Sequence, residues 1–186
     1  MTPIWASFFL MEACQPHSMA GVRSRATMPY FSLRSPPVCF LHRGEREWLH
    51  NLGAIIRTAD AVGAHGIIVR ERRAVGLTPA VEKSSAGALE YIPVTRVVNI
   101  SRTIETLKNN NIWVIGIDQS GKTEYSEIDY KPATAIVIGA EGQGLSDLVC
   151  KNCDFLASIP MYGHISSLNA SVAAAVVMYE VVKQRK

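Results

Sequence analysis

Between Asn51 and Lys186 the chain alternates short, wholly apolar runs with longer stretches whose apolar residues recur three or four positions apart. The first long stretch, Asn51 to Gly63, sets Leu52, Ile55, Ile56 and Ala59 on one face. Asn51 is suited to capping this helix and Gly63 to ending it. Residues 66–70, Gly-Ile-Ile-Val-Arg, read as a buried strand, and Thr78 followed by Pro79 opens a second helix. The same pattern predicts strands over 94–98, 112–117, 134–139 and 155–160, and helices over 101–110, 145–151 and 167–184. The apolar stripe of the last helix runs through Leu168, Val172, Val176 and Tyr179. Strands apolar on both faces, alternating with helices, predict an α/β fold built on a mostly parallel sheet with helices on both faces.

Residues 1–50 break this pattern. They hold five arginines, no lysine and five of the nine prolines, and sustain neither a helical nor a strand period. Their one convincing strand is Val38 to His42, after the Pro36-Pro37 breaker. The predicted division is an atypical, largely irregular segment over 1–50 and an α/β domain over 51–186. Irregular chain and a shifted start upstream account equally for the break. The apolar run Ile4 to Leu10 has no positive charge before it and Glu12 close behind, which argues against a secretory signal. No run approaches the ~20 apolar residues of a membrane helix, so a soluble, cytoplasmic protein is expected.

Net charge is only +3, so no bulk basic surface announces a nucleic-acid partner. The local cluster Arg70, Arg72 and Arg73 reads either as a phosphate contact or as a solvated loop face. Four cysteines are too few for a disulfide scaffold and suit a reducing compartment. Cys150-Lys-Asn-Cys153 offers two zinc ligands and His164 is a poor third, so no metal site is expected.

Parallel sheets bind ligands beyond the carboxyl ends of their strands, and segments 51–57, 139–145 and 159–169 fall there. The middle one has the glycine order G-x-x-G-x-G through Gly139, Gly142 and Gly144. That is neither the G-x-G-x-x-G of dinucleotide folds nor a P-loop, which ends in Gly-Lys-Ser/Thr. Close approach of backbone to a flat ligand and a plain tight turn both explain it. In the last segment, Ser166 and Ser167 are N-cap candidates for the closing helix, whereas Asn169 falls inside its first turn, a poor place for asparagine.

Taken in order, Asn51-x-Gly53-x-x-x-Arg57, Ile138-Gly-Ala-Glu-Gly-x-Gly-Leu145 and Ile159-Pro-Met-x-Gly-x-x-Ser-Ser-Leu-Asn169-x-Ser-Val-Ala resemble the three signature motifs of the SpoU/TrmH (SPOUT) family of RNA ribose methyltransferases. The similarity is greatest to the bacterial 23S rRNA guanosine-2′-O-methyltransferases and covers residues 51–186. The resemblance implies a C-terminal trefoil knot, an exception to the rule against knots. It implies S-adenosylmethionine as cofactor, held by Gly139, Ile159 and Leu168, and a homodimer with active sites near the subunit interface. It places Arg57 at the acceptor 2′-hydroxyl, with Asn51, Glu141, Ser167 and Asn169 around it. A guanidinium hardly ever deprotonates, so Arg57 is better read as holding phosphate and developing alkoxide charge than as a base. The implied partner is RNA, rRNA ahead of tRNA.

This chain departs from the family at the first motif, where Trp48-Leu49-His50-Asn51 replaces the usual Asp-Pro-x-Asn. The small N-terminal RNA-binding domain of many rRNA members has no counterpart in the first fifty residues. Two other readings therefore stay open at this point: a catalytically impaired RNA- or cofactor-binding homologue, and a nucleotide-dependent oxidoreductase, which the glycine order disfavours.

Overall fold

A computed structural model of the chain describes residues 38–42, 48–70, 79–139, 142 and 144–186. Among these, seven strands form one sheet in which every pairing is parallel: β1 (Val38–His42), β2 (Gly66–Arg70), β3 (Val94–Val97), β4 (Trp113–Ile117), β5 (Thr123–Glu124), β6 (Thr134–Ile138) and β7 (Phe155–Ser158). Their order across the sheet is β3-β2-β1-β6-β4-β7-β5. The predicted strands are all present, each within two residues of its expected ends. The two-residue β5 has no sequence period to betray it. β1 pairs with both β2 and β6 in mid-sheet, so the sheet draws on chain before residue 51.

Among the described residues five α-helices cover the sheet: α1 (Trp48–Ala61), α2 (Pro79–Ser85), α3 (Ile100–Asn109), α4 (Asp147–Asn152) and α5 (Ala170–Arg185). Strand alternation divides the core in two. Ile67, Val69, Ile136 and Ile138 face α1, α2 and α5, meeting Leu52, Ile55, Ile56, Val81, Val177 and Met178. Ile68, Val114, Ala135 and Val137 face α3 and α4, meeting Ile104, Leu107 and Val149. Burial of both faces is why β6 is apolar throughout.

Helix boundaries correct three expectations. α1 begins at Trp48, so Asn51 lies inside the helix and does not cap it. With no proline in Trp48-Leu49-His50, the backbone there is free to be helical. At the other end Gly63 takes φ +68° and closes the helix as expected. The closing helix starts at Ala170, three residues later than predicted, and Asn169 is its N-cap. The predicted capping Thr78 lies outside the described residues; Pro79 opens α2.

The stripe expected on α5 is the wrong face. Ala170, Ala174, Val177, Met178 and Val181 are buried, whereas Val172 is 47% and Tyr179 56% exposed. A helix apolar nearly all round has no single period from which to choose a face. Its far end is fastened by polar contacts. Gln184 donates to the Ile128 carbonyl (3.0 Å) and accepts from the Tyr130 amide (3.1 Å), and Arg185 donates through Nε to the Tyr130 carbonyl (2.7 Å).

Gly53, which the motif sets in α1, is explained by packing. A Cβ there would run into the Ser84 side chain and come within 2.9 Å of the Val81 carbonyl oxygen. The glycine lets α1 and α2 meet backbone to backbone.

Candidate active site

His42, Ile138, Ile117 and Ala157 stand in one row across the sheet, close to its carboxyl edge. Beyond that row the loops after β4, β6 and β7 enclose a cavity of about 270 Å³. Ile117 and Asp118 belong to the β4 wall, Ile138, Gly139 and Gly144 to the β6 wall, and Ile159, Met161, Ser167 and Leu168 to the β7 wall. Ala170 and Ala173, in the first turn of α5, close the floor. The site lies where loops of neighbouring parallel strands diverge and leave a crevice.

The β6 wall is shaped by glycine pairing. A Cβ on Gly139 would collide with the Gly144 backbone, and Gly144 itself takes φ +61°. The two peptides therefore lie against each other, which neither position allows with a side chain. Gly139 thus serves the wall's own packing as well as the cavity it lines.

The loop after β4 ties the walls together. The Asp118 Oδ2 accepts from the Leu145 amide (2.9 Å) and Oδ1 accepts from the amide (2.9 Å) and hydroxyl (2.7 Å) of Ser120. Burial, the largest single influence, pushes the Asp118 carboxyl up, but these hydrogen bonds outweigh it and hold it below the usual carboxylate value. Gln119 donates from Nε2 to the Ser166 carbonyl, tying the β4 loop to the 159–169 loop. None of these contacts was foreseen; the only signal was a polar Asp-Gln-Ser-Gly turn directly after an apolar strand.

Of the expected site residues, the structure brings Gly139, Ile159, Leu168 and Ser167 onto one cavity. Asn169 is adjacent, its Oδ1 accepting from the Ser171 amide (2.9 Å) and hydroxyl (2.6 Å). Asn51 and Arg57 are not among the lining residues; Asn51 is half-buried and Arg57 is exposed on α1. Six helical residues put Arg57 about 9 Å further along the helix than Asn51, on the way back to the amino edge of the sheet. Glu141 lies outside the described residues, as do Arg72 and Arg73.

Burial, foremost, and then the neighbouring Cys150 and Asp154 push the Cys153 thiol up to about 12. Among the described residues no three His, Cys, Asp or Glu side chains gather at a metal-binding spacing, and no helix is long and apolar enough to cross a membrane.

The cap role of Asn169 has a measurable consequence. Asn169→Ala is expected to lower stability by about 1 kcal/mol, while Asn169→Asp, which keeps the acceptor at a helix N-terminus, stays near the parent. Thermal melts of the two variants check this, and equal losses would remove the capping assignment.

Known proteins resemble both the sequence and this architecture. A Bacillus subtilis protein named as a TrmH family tRNA/rRNA methyltransferase, YacO, is 54% identical over 146 residues, covering 78% of this chain and 59% of YacO. The SpoU methyltransferase AviRb of Streptomyces viridochromogenes, solved in complex with the cofactor AdoMet, superposes with a TM-score of 0.74 at 35% identity. That match covers 82% of this chain and 61% of AviRb. A crystal structure of an RNA 2′-O ribose methyltransferase gives a TM-score of 0.75 at 28% identity, covering 87% of this chain and 61% of that one. The chain thus spans about three fifths of the length of these proteins. The sequence profile of the SpoU rRNA methylase family matches residues 45–179, which include all three cavity walls, and the chain belongs to that family.

Proposed function

We propose that this chain is an S-adenosylmethionine-dependent ribose 2′-O-methyltransferase of structured RNA. The observation that carries the reading is the convergence of the 139–145 and 159–169 segments on one cavity at the carboxyl edge of the sheet. The lining suits an adenosyl ligand. The Gly139–Gly144 pair packs backbone on backbone, so at these two positions the β6 wall lines the cavity with main chain rather than with side chains. Ile138, Ile159 and Leu168 offer apolar surface for an adenine. Gly139, Ile159 and Leu168 are accordingly assigned to cofactor binding.

Bound there, S-adenosylmethionine supplies a methyl carbon already activated by its sulfonium charge. The chain's own residues have to position the 2′-hydroxyl and accommodate its charge as the proton leaves for phosphate or water. Ser167, on the cavity wall, and Asn169, beside it, orient the acceptor ribose. Arg57 holds the adjacent phosphate and stabilises developing alkoxide charge, with Asn51 and Glu141 orienting it. Since Arg57 stands outside the cavity of its own chain, we assign its delivery to a homodimer. The exposed Val172 and Tyr179 of α5, the helix packed beside α1, supply an apolar face for that interface.

The strand order supports a C-terminal trefoil knot as well. The chain runs from β4 out to the edge at β5 and back to β6, then inserts β7 between β4 and β5 before α5 docks on α1. The proposed methyltransferase unit is 51–186 together with β1. The proposed target is a guanosine in 23S rRNA, with tRNA the alternative, and the proposed compartment is the cytoplasm. A second reading, an impaired homologue that binds without turnover, is favoured by the continuous helix through Trp48-Leu49-His50 where the family has Asp-Pro.

Incubating the purified protein with methyl-labelled cofactor and total RNA, then mapping the label, tests both. Label on ribose 2′-oxygens of 23S rRNA is the expected result. Cofactor binding without label transfer to any RNA would select the impaired homologue, and label confined to bases would end the ribose assignment.

A further inference from the structure

We propose that Asp118 is a specificity-determining residue whose fixed negative charge makes the cavity prefer the cationic sulfonium cofactor over its neutral thioether product. The inference rests on the reading that the cavity takes S-adenosylmethionine. It comes from a side chain that none of the signature motifs includes.

Three observations carry it. First, Asp118 is the one charged side chain among the described residues that line the cavity, the rest being aliphatic or neutral. Second, the carboxylate is locked in place: both oxygens accept hydrogen bonds, from Ser120 on one side and from the Leu145 amide on the other. A Cβ on Gly144 would collide with Oδ2, so the carboxylate rests directly against the glycine wall. Third, every one of these partners is a neutral donor. They hold the charge in position without neutralising it, and they keep the group ionised at neutral pH.

The reaction itself changes the charge of the ligand. In ribose–OH plus sulfonium cofactor giving ribose–OCH3, thioether and a proton, the carbon–sulfur bond breaks and its electron pair stays on sulfur. The new carbon–oxygen bond takes its electrons from oxygen, and the proton leaves to phosphate or solvent. The ligand's amino-acid ammonium and carboxylate are common to cofactor and product, so only the sulfonium charge distinguishes them. A cavity of about 270 Å³ holds that charge within the roughly 10 Å Debye length of Asp118. At the effective dielectric of a half-exposed site, such a pair changes relative affinity about five- to tenfold. The consequence for turnover is direct: attraction that helps load the cofactor vanishes once the methyl has left, so the product is released more readily.

Isothermal titration of the parent and of Asp118→Asn with S-adenosylmethionine and with S-adenosylhomocysteine reads this out without any turnover. The amide keeps the shape but has only one acceptor oxygen, so loosening of the wall weakens both ligands alike. Loss of charge weakens only the cation. The expected result is a fall of about five- to tenfold in the cofactor-to-product affinity ratio. Equal losses for both ligands would overturn the proposal and reduce Asp118 to a latch. If Asp118→Asn does not fold, the parent is titrated with the analogue that carries a primary ammonium in place of the methylsulfonium. That analogue is expected to bind more tightly than the thioether, and binding no tighter than the thioether overturns the proposal. A parent protein that binds none of the three ligands would instead show that the cofactor reading itself is wrong.

Discussion

Arg57→Ala is expected to lower methyl transfer by about a hundredfold or more, the usual cost of removing one donor to a developing oxyanion. Cofactor affinity should change by less than about twofold, because Arg57 is not part of the cavity lining. The side chain is exposed on α1, so its removal leaves no cavity and no buried charge, and the fold should be unaffected. Calorimetry with S-adenosylmethionine beside a single-turnover assay separates the two effects. Parallel loss of binding and transfer would refute the assigned role, since it would mean that Arg57 supports the cofactor cavity. Arg57→Lys is informative too, because lysine keeps the charge but loses the planar fork that grips phosphate oxygens in pairs.

Gly139→Ala is expected to show the opposite signature. Its new methyl would collide with the backbone of Gly144, and neither partner has a flexible side chain that could yield. Overpacking of this kind costs about 1–3 kcal/mol. Relief requires the 139–145 wall to move, and that wall is also held by the bond from the Leu145 amide to Asp118. Cofactor affinity should therefore fall by about tenfold or more as the melting temperature drops. Gly163→Ala is the control: it lies in the neighbouring motif, but a Cβ there meets nothing within 4 Å and its φ is not positive. Gly139→Ala binding cofactor as well as Gly163→Ala would mean that the glycine pair does not shape the site.

The two substitutions also separate what was legible in the chain from what was not. The sheet was legible because strands buried on both faces must be apolar at successive positions, as Thr-Ala-Ile-Val-Ile of β6 is. Gly139, Ile159 and Leu168 were legible only as members of motifs, since nothing local distinguishes Ile159 from a core isoleucine. The misjudged face of α5 has a plain cause. Its residues are apolar almost all round, and which of them are buried is decided by α1 and the sheet, elements distant in the chain.

The start of α5 has a similar lesson. Ser166, Ser167 and Asn169 are all good caps by residue type, and sequence preference cannot rank them when they stand so close together. The choice fell to Asn169 because the 159–169 loop is already committed to the cavity, with the Ser166 carbonyl held by Gln119.

By itself the sequence determined the alternation of strands and helices, the parallel class of the sheet and two of the stretches, 139–145 and 159–169, that meet at its carboxyl edge, because burial on both faces and glycine's backbone freedom are local demands written residue by residue. Only the tertiary structure decided that Asp118 latches the glycine wall, that Asn169 caps α5 and that Arg57 stands clear of its own cavity. Those outcomes depend on which loops diverge from neighbouring strands, and strand order is set by long-range pairing that no window along the chain contains.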